Sequence, residues 1–258
     1  MTRTFDMEIG GRQGSSLTGR LFSKLMDTLS EELNETGMGF NLSMDLVIAV
    51  LLWVDDVLTF AVGEEEQQII LKKIDEFATR HKIKWGQAKC KVMRVGRHEQ
   101  KDIEWKLGDL TIDECTSYKY LGDYVTCDGK NAENIESRKN KLKITTMNIN
   151  SIAASDVMCL MEAYVLLELH EKINIPSLLT NAESWNLNKG EMDNLERIEL
   201  QAIKQLFNLP VHTPTPAIIF TFGLLYTRFR IHQKQLLYLH KILKRYSHWT
   251  KQTLMVLQ

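Results

Sequence analysis

Residues 46–62 read LVIAVLLWVDDVLTFAV, two apolar runs with a pair of adjacent aspartates between them. Both runs favour burial, whereas desolvating a carboxylate that lacks a cation or donors costs several kcal/mol. The chain must therefore bend near Asp55 and Asp56, leaving two mutually repelling charges at the tip. The apolar continuity of both arms predicts a hairpin buried on both faces, or nearly so. Two readings of its tip stay open from this segment alone. One is an ordinary polar turn between strands. The other is a divalent-metal site, which needs hard oxygen donors held close together.

The rest of the chain narrows the setting. At 258 residues, with 44% hydrophobic and 25% charged content, it has the profile of a globular protein of one large or two small domains. The longest apolar run, 46–54, is too short to span a bilayer, and MTRTFDMEIGG at the N-terminus lacks a signal-peptide core. The expected setting is intracellular, nuclear or cytoplasmic, without membrane association. Cys90, Cys115, Cys127 and Cys159 form no CxxC pair and read as reduced thiols.

The net charge of −1 conceals a division. Residues 1–128 carry 16 Lys and Arg against 22 Asp and Glu, a balance of −6, and residues 129–258 carry 16 against 11, a balance of +5. Two stretches are basic without any acid: 80–97, and 225–251, which interleaves its cations with Tyr226, Phe229, Tyr238, Tyr246 and Trp249. Such stripes suit a phosphate backbone and unstacked bases, or equally a solvated helix face whose aromatics belong to a core.

Secondary-structure patterning divides at the same place. A short strand, TFDMEI, runs into a turn containing Gly10, Gly11 and Gly14. Helical spacing of Leu17, Leu21, Leu25, Met26, Leu29 and Leu33 predicts a helix over 16–34, ended by Gly37 and Gly39. After the Asp-Asp hairpin, 64–81 reads as an amphipathic helix with Ile69, Ile70, Ile74, Phe77 and Ala78 inward. Short strands follow at KVMRVG, IEWKLG, LTID and YKYLGDYVT. Beyond Asp128 the pattern predicts helices at 131–152, 156–173, 190–208 and 224–247, punctuated by Pro176, Pro210, Pro214 and Pro216. The expectation is an α+β fold, with domains at 1–128 and 129–258.

Several motifs, taken in order, carry a resemblance. Gly11-Arg12-Gln13-Gly14-Ser15-Ser16-Leu17-Thr18 precedes Leu21-Phe22, and Trp53-Val54-Asp55-Asp56 follows. Then come Lys89-Cys90-Lys91-Val92-Met93, Tyr120-Leu121-Gly122, Glu136-Ser137-Arg138, Pro176-Ser177-Leu178-Leu179 and Ala182-Glu183-Ser184-Trp185. Leu206-Phe207-Asn208-Leu209-Pro210 closes the series before His212-Thr213-Pro214. The series resembles the C-terminal part of the palm, plus the thumb, of reverse transcriptases from LINE-type (non-LTR) retrotransposons. Departures include Trp53 for Phe or Tyr, Val54 for Ala, Gly19 for Pro, Thr180-Asn181 for Tyr-Gly, and Trp85-Gly86 before Lys89.

That resemblance implies a partial polymerase palm, an antiparallel sheet with packed helices, in residues 1–128, followed by an all-α thumb in 129–258. It implies RNA-directed DNA synthesis with an RNA template, a DNA primer and deoxynucleotides as partners. Asp55 and Asp56 would be the catalytic residues and ligands of two Mg²⁺ ions. Arg12, Gln13, Gly14 and Lys89 would lie at the nucleotide and template, and Tyr120, Leu121 and Gly122 at the primer. Arg228, Arg230, Lys234, Lys241, Lys244 and Arg245 would meet the nucleic-acid backbone, whereas Trp185 and Pro176 read as packing residues.

The family's fingers and its earlier catalytic aspartate have no counterpart among the ten residues before Gly11, where Asp6 and Glu8 lead directly into the turn. The expectation is therefore weak or partial metal binding and little or no polymerase activity from this chain alone. The alternatives are a non-catalytic nucleic-acid-binding module using the basic helical half, and an unrelated α+β interaction protein.

Overall fold

The computed structural model of the protein describes residues 16–43, 46–96, 103–153 and 163–244. These fall into two compact units, one from 16–92 and 103–115, the other from 93–96 and 116–244. Helices and small sheets mix in an α+β architecture. The predicted N-terminal strand and glycine turn lie outside the described residues.

The first unit begins with α1 (Ser16–Asn34). Met26, Leu29 and Leu33, at three- and four-residue spacing, are buried, whereas Leu17 and Leu21 are exposed, so only the second half of the predicted apolar face enters the core. Gly37 takes a φ of +68° just past the helix end. Gly39, at +134°, lies so close to the next strand that a Cβ would stand 2.5 Å from the Ile48 carbonyl oxygen.

Strand β1 (Phe40–Ser43) pairs antiparallel with β2 (Leu46–Ile48), and β3 (Val50–Trp53) pairs antiparallel with β4 (Asp56–Thr59). Ala49 separates the two ladders, and its carbonyl accepts the Phe60 N–H at 2.8 Å. Helix α2 (Glu64–His81) carries three glutamates in its first turn and Arg80 and His81 in its last, an arrangement that suits the helix dipole. It buries Ile70, Leu71, Ile74, Phe77 and Ala78; Leu71 takes the inward place expected of Ile69, which is exposed. Glu66 ties the helix to its surroundings by accepting the Gly39 N–H at 2.5 Å and the Val62 N–H at 3.0 Å.

Three further strands complete this unit. Strand β5 (Lys91–Val92) runs parallel to β7 (Leu110–Glu114), and β6 (Trp105–Leu107) pairs antiparallel on its other side. Among the described residues the sheets are thus small and separate, with one parallel pair, rather than a single antiparallel sheet. One core unites Met26, Leu29 and Leu33 with Ala49, Val50, Phe77 and Trp105.

The second unit opens with a hairpin, β8 (Ser117–Tyr120) and β9 (Asp123–Thr126), where a single strand was expected from YKYLGDYVT. Leu121 and Gly122 at its turn both have positive φ, the signature of a tight type I′ reversal. Helix α3 (Ala132–Ala153) follows. Next come α4 (Ala163–Leu169), a π turn (His170–Asn174), α5 (Ile175–Leu178) and a 3₁₀ turn (Ala182–Ser184).

Helix α6 (Lys189–Leu206) starts with a capping box: Glu191 N–H donates to Asn188 Oδ1 at 3.0 Å and Asn188 N–H to Glu191 at 2.8 Å. Helix α7 (Thr215–Phe222) was not foreseen, because its prolines read as punctuation, yet Pro216 sits in the first turn, where it is tolerated. Helix α8 (Thr227–Lys244) ends the described chain. Because the hairpin belongs with the helices, the boundary falls near Cys115 rather than at Asp128. Among the described residues no helix is long and apolar enough to cross a membrane, and Cys90, Cys115 and Cys127 are free thiols.

Two predictions follow from these backbone features. Gly39→Ala should destabilise the protein by about 2–4 kcal/mol in urea unfolding, since strain at positive φ and a backbone clash act together. Gly37→Ala, with open space around its Cβ, should cost only about 1 kcal/mol. Separately, hydrogen bonds from the Lys130 side chain and backbone hold the Asp128 carboxyl down to about 2, from an ordinary 3.8. A lowered folded-state pKa favours folding fully above 3.8, and that contribution disappears as pH falls through about 2. An NMR titration should place the Asp128 midpoint near 2, and Lys130→Ala should return it towards 3.8.

Candidate active site

The pairing of Trp53 with Asp56 leaves Val54 and Asp55 as the two central residues of the β3–β4 turn. Of these, only Val54 has positive φ, +56°. A left-handed first residue followed by a right-handed second has the φ signs of a type II′ turn, whose first position favours glycine. A β-branched residue there costs on the order of 1–3 kcal/mol and persists only where the surroundings fix it. Here the four-pair β3–β4 register and the buried Ala49 and Val50 behind it supply that constraint.

As expected, Asp55 and Asp56 are both exposed at the tip. Burial of the arms is not as expected. Val50 is buried, but Leu51 is 45% and Trp53 63% exposed. The reason is that β3 and β4 form an isolated two-stranded ladder whose inner face meets the core of α1 and α2, with no second layer outside it among the described residues. The exposed Trp53 ring lies opposite Asp56 in the ladder and gives the tip an aromatic neighbour.

The donor set decides what such a tip could hold. Two adjacent carboxylates are hard oxygen ligands, and Mg²⁺ binds through one or two carboxylates together with substrate phosphates and water. Asp55 and Asp56 fit that requirement. They do not form a complete protein cage: no group of three or more His, Cys, Asp or Glu that could hold a metal occurs among the described residues. Arg12, Gln13 and Gly14 lie outside the described residues.

Lys89 ends a 3₁₀ turn (Gln87–Lys89) on the surface of the first unit. Within the same basic stretch, Arg80 forms a two-pronged pair with Glu32 at 2.9 and 2.8 Å, and Lys91 pairs with Asp113 at 2.6 Å. Burial pushes the Cys90 thiol above its ordinary pKa, which keeps it protonated and unreactive at neutral pH.

Tyr120, Leu121 and Gly122 lie at the β8–β9 turn in the second unit. Four residues from α3 and from the segment ahead of α6 hold this turn in place. Arg138, almost fully buried, donates to the Asp123 carboxylate and, at 3.4 Å, to the Gly122 carbonyl, with its guanidinium 5.6 Å from the Trp185 ring centre. Trp185 Nε1–H donates to Asp123 Oδ2 at 3.4 Å, and Asn181 donates to the Leu121 carbonyl at 3.3 Å. Asn134 grips β9 through both backbone groups of Tyr124, at 2.6 and 2.8 Å. The sequence offered a signal for Arg138, since it shares a helical face with the buried Ile135, Leu142 and Ile149. Trp185 is buried in the helical core, as a packing residue should be, whereas Pro176 is exposed.

Sequence reasoning also missed a buried polar network. His170, Asn174, Thr146, Glu199 and Thr227 are all buried. Asn174 donates to Thr146 at 3.1 Å, the Thr227 hydroxyl donates to Glu199, and His170 Nε2 stands 3.6 Å from Glu199. It lies where a π turn interrupts the helical path, and neither spacing nor composition marks it.

The basic stripe is largely engaged within its own unit. Arg228 contacts Glu196 at 3.0 Å and Asp193 at 3.3 Å, Arg230 clamps Glu171 at 2.7 and 2.5 Å, and Lys234 meets Glu183 at 3.4 Å. Lys241 and Lys244 are exposed and make no ion pair among the described residues. Arg245 lies outside them.

Residues 3–125 match a family model described as reverse transcriptase (RNA-dependent DNA polymerase). The match spans the Asp-Asp hairpin and supports the reverse-transcriptase reading of this part of the chain. No curated protein matches the chain.

The Arg138 cluster gives a direct stability prediction. Arg138→Ala removes one partner of a buried ion pair and should lower the unfolding free energy by about 3–5 kcal/mol. Urea unfolding followed by far-UV circular dichroism would measure it, with Lys139→Ala, an exposed neighbour, changing it by less than about 1 kcal/mol.

Proposed function

We propose that this chain carries the Asp-Asp portion of an RNA-directed DNA polymerase of the LINE-type retrotransposon kind, and that Asp55 and Asp56 are its metal-binding and catalytic carboxylates. The observation that carries the proposal is the β3–β4 turn. It holds two adjacent carboxylates exposed on a backbone strained at Val54, within the stretch that matches the reverse-transcriptase family. Strain kept at a β-branched residue motivates a functional reading of the turn.

Two bound Mg²⁺ ions would lower the pKa of a primer 3′-hydroxyl and neutralise charge on the attacking and leaving oxygens. The chain's own residues hold negative charge at a fixed point: Asp55 on the turn itself and Asp56 locked by the ladder against Trp53. Lys89 would offset charge on a departing pyrophosphate, and Arg12, Gln13 and Gly14 would approach the incoming nucleotide and template. Leu121, on a turn fixed by Asn181 and Arg138, would present a rigid surface to the primer. Reliance on a nucleic-acid grip along α8 is weakened by the carboxylate partners of Arg228, Arg230 and Lys234.

Because a two-metal mechanism has to hold two ions and this turn offers two carboxylates, we propose that the chain by itself has little or no polymerase activity. Primer extension on an RNA template with Mg²⁺ tests this, with Asp55→Asn as the control. The expected result is no extension above that control. Robust synthesis that Asp55→Asn abolishes would show a complete catalytic site and contradict the predicted inactivity. Robust synthesis that survives the substitution would contradict the role of Asp55.

A further inference from the structure

The π turn has His170 and Asn174 at its two ends, and both are fully buried. The Asn174 amide nitrogen lies 3.3 Å from His170 Nδ1 and donates to the Thr146 hydroxyl at 3.1 Å. An amide nitrogen can only donate, so Nδ1 is the acceptor in that contact. The ring in this arrangement is neutral, with its proton on Nε2. Two buried atoms are then left without a hydrogen bond among the described residues, Asn174 Oδ1 and His170 Nε2 itself. Nε2 stands 3.6 Å from Glu199 Oε1, just too far for a normal bond.

Proton uptake cannot leave this geometry intact, because a proton on Nδ1 would confront the donor hydrogens of the Asn174 amide. Reversing that amide removes the conflict: Oδ1 takes the place of Nδ2. There it accepts from Nδ1–H and from the Thr146 hydroxyl, which donates as readily as it accepts. Nε2–H then belongs to a cation facing a carboxylate, and the gap to Glu199 closes into a charge-assisted bond. Glu199 keeps its bond from the Thr227 hydroxyl of α8. The amide nitrogen moves to the place Oδ1 leaves, so one unpaired atom remains where there were two.

Glu199 of α6 is the charged group that faces the ring. Around it, Glu168 of α4 pairs with Lys172, Glu171 with Arg230 of α8, and Glu196 of α6 with Arg228. On α3, Lys139, Lys141 and Lys143 are exposed, and α5 carries no ionisable side chain. Asp156 and Glu162 lie outside the described residues. Among the described residues, a charge on the ring is thus answered by Glu199.

We propose that His170 and Asn174 form a proton-operated switch: a proton taken from solvent onto Nδ1 reverses the Asn174 amide and draws Nε2–H onto Glu199. The switch passes the charge of one buried ring to α3, α6 and α8, whose Thr146, Glu199 and Thr227 meet in the cluster. It stands independently of the polymerase reading.

The test is an NMR titration of the full ¹⁵N-labelled chain from about pH 8 to about pH 5, where imidazoles exchange their proton. At the upper end His170 should be the Nε2–H tautomer, with a ¹⁵N–¹⁵N coupling across the bond from Asn174 to Nδ1. As the ring charges, that coupling should vanish. The nuclear Overhauser effect between the Asn174 amide protons and Thr146 should weaken several-fold with the same midpoint. In His170→Gln the Asn174 signals should lose their pH dependence; should that variant not fold, the titration of the unaltered chain decides alone. An Nδ1–H tautomer at the upper end would overturn the proposal. So would a ring that stays neutral throughout, or an Asn174–Thr146 effect that persists once the ring is charged.

Discussion

The register that sets Trp53 against Asp56 leaves two residues to reverse the chain, and the candidate site depends on that constraint. Because side chains alternate along a strand, a slip of one residue would exchange the faces of the whole hairpin. Val50 would leave the core and the two carboxylates would be re-aimed. Ala49 and Val50 prevent this by packing with Met26, Leu29 and Ile70, and the Phe60 N–H adds a bond to the Ala49 carbonyl just beyond the ladder. The unfavourable φ at Val54 is the local cost of the arrangement.

A second constraint governs the helical unit. The β8–β9 turn is held by Arg138, Asn134, Asn181 and Trp185, which come from α3 and from the segment ahead of α6. Three of these, Arg138, Asn181 and Trp185, fall in the Glu136-Ser137-Arg138 and Pro176-to-Trp185 segments that read separately in the sequence. Their common role is to fix one tight turn. Asn181, which stands where the resemblance leads one to expect Gly, has a positive φ of +60°, a conformation asparagine tolerates better than most residues.

What was legible in the sequence follows from what periodicity can report. The spans of α1 and α2 emerged residue for residue, because long amphipathic segments with clear terminators carry their own signal. The bend at Asp55–Asp56 was equally legible, since adjacent charges within apolar runs leave few alternatives. The exposure of Leu51 and Trp53 was not, because apolar continuity cannot tell whether a second layer will cover a strand. The Leu121–Gly122 turn was read through as strand, and the Arg138 and His170 clusters join residues distant in sequence. The engagement of the basic stripe was hidden too, since Glu171, Glu183 and Glu196 lie some 30 to 60 residues before their partners.

The Asp55–Asp56 tip is proposed as a metal-binding half-site, and paramagnetic broadening by Mn²⁺, a hard-oxygen-seeking substitute for Mg²⁺, tests that most directly. Amide NMR signals at Val54, Asp55 and Asp56 should broaden first as Mn²⁺ is added, and the effect should vanish in the Asp55→Asn/Asp56→Asn variant. Broadening that begins instead at the glutamates of the α2 first turn, with the hairpin tip unaffected, would contradict the assignment.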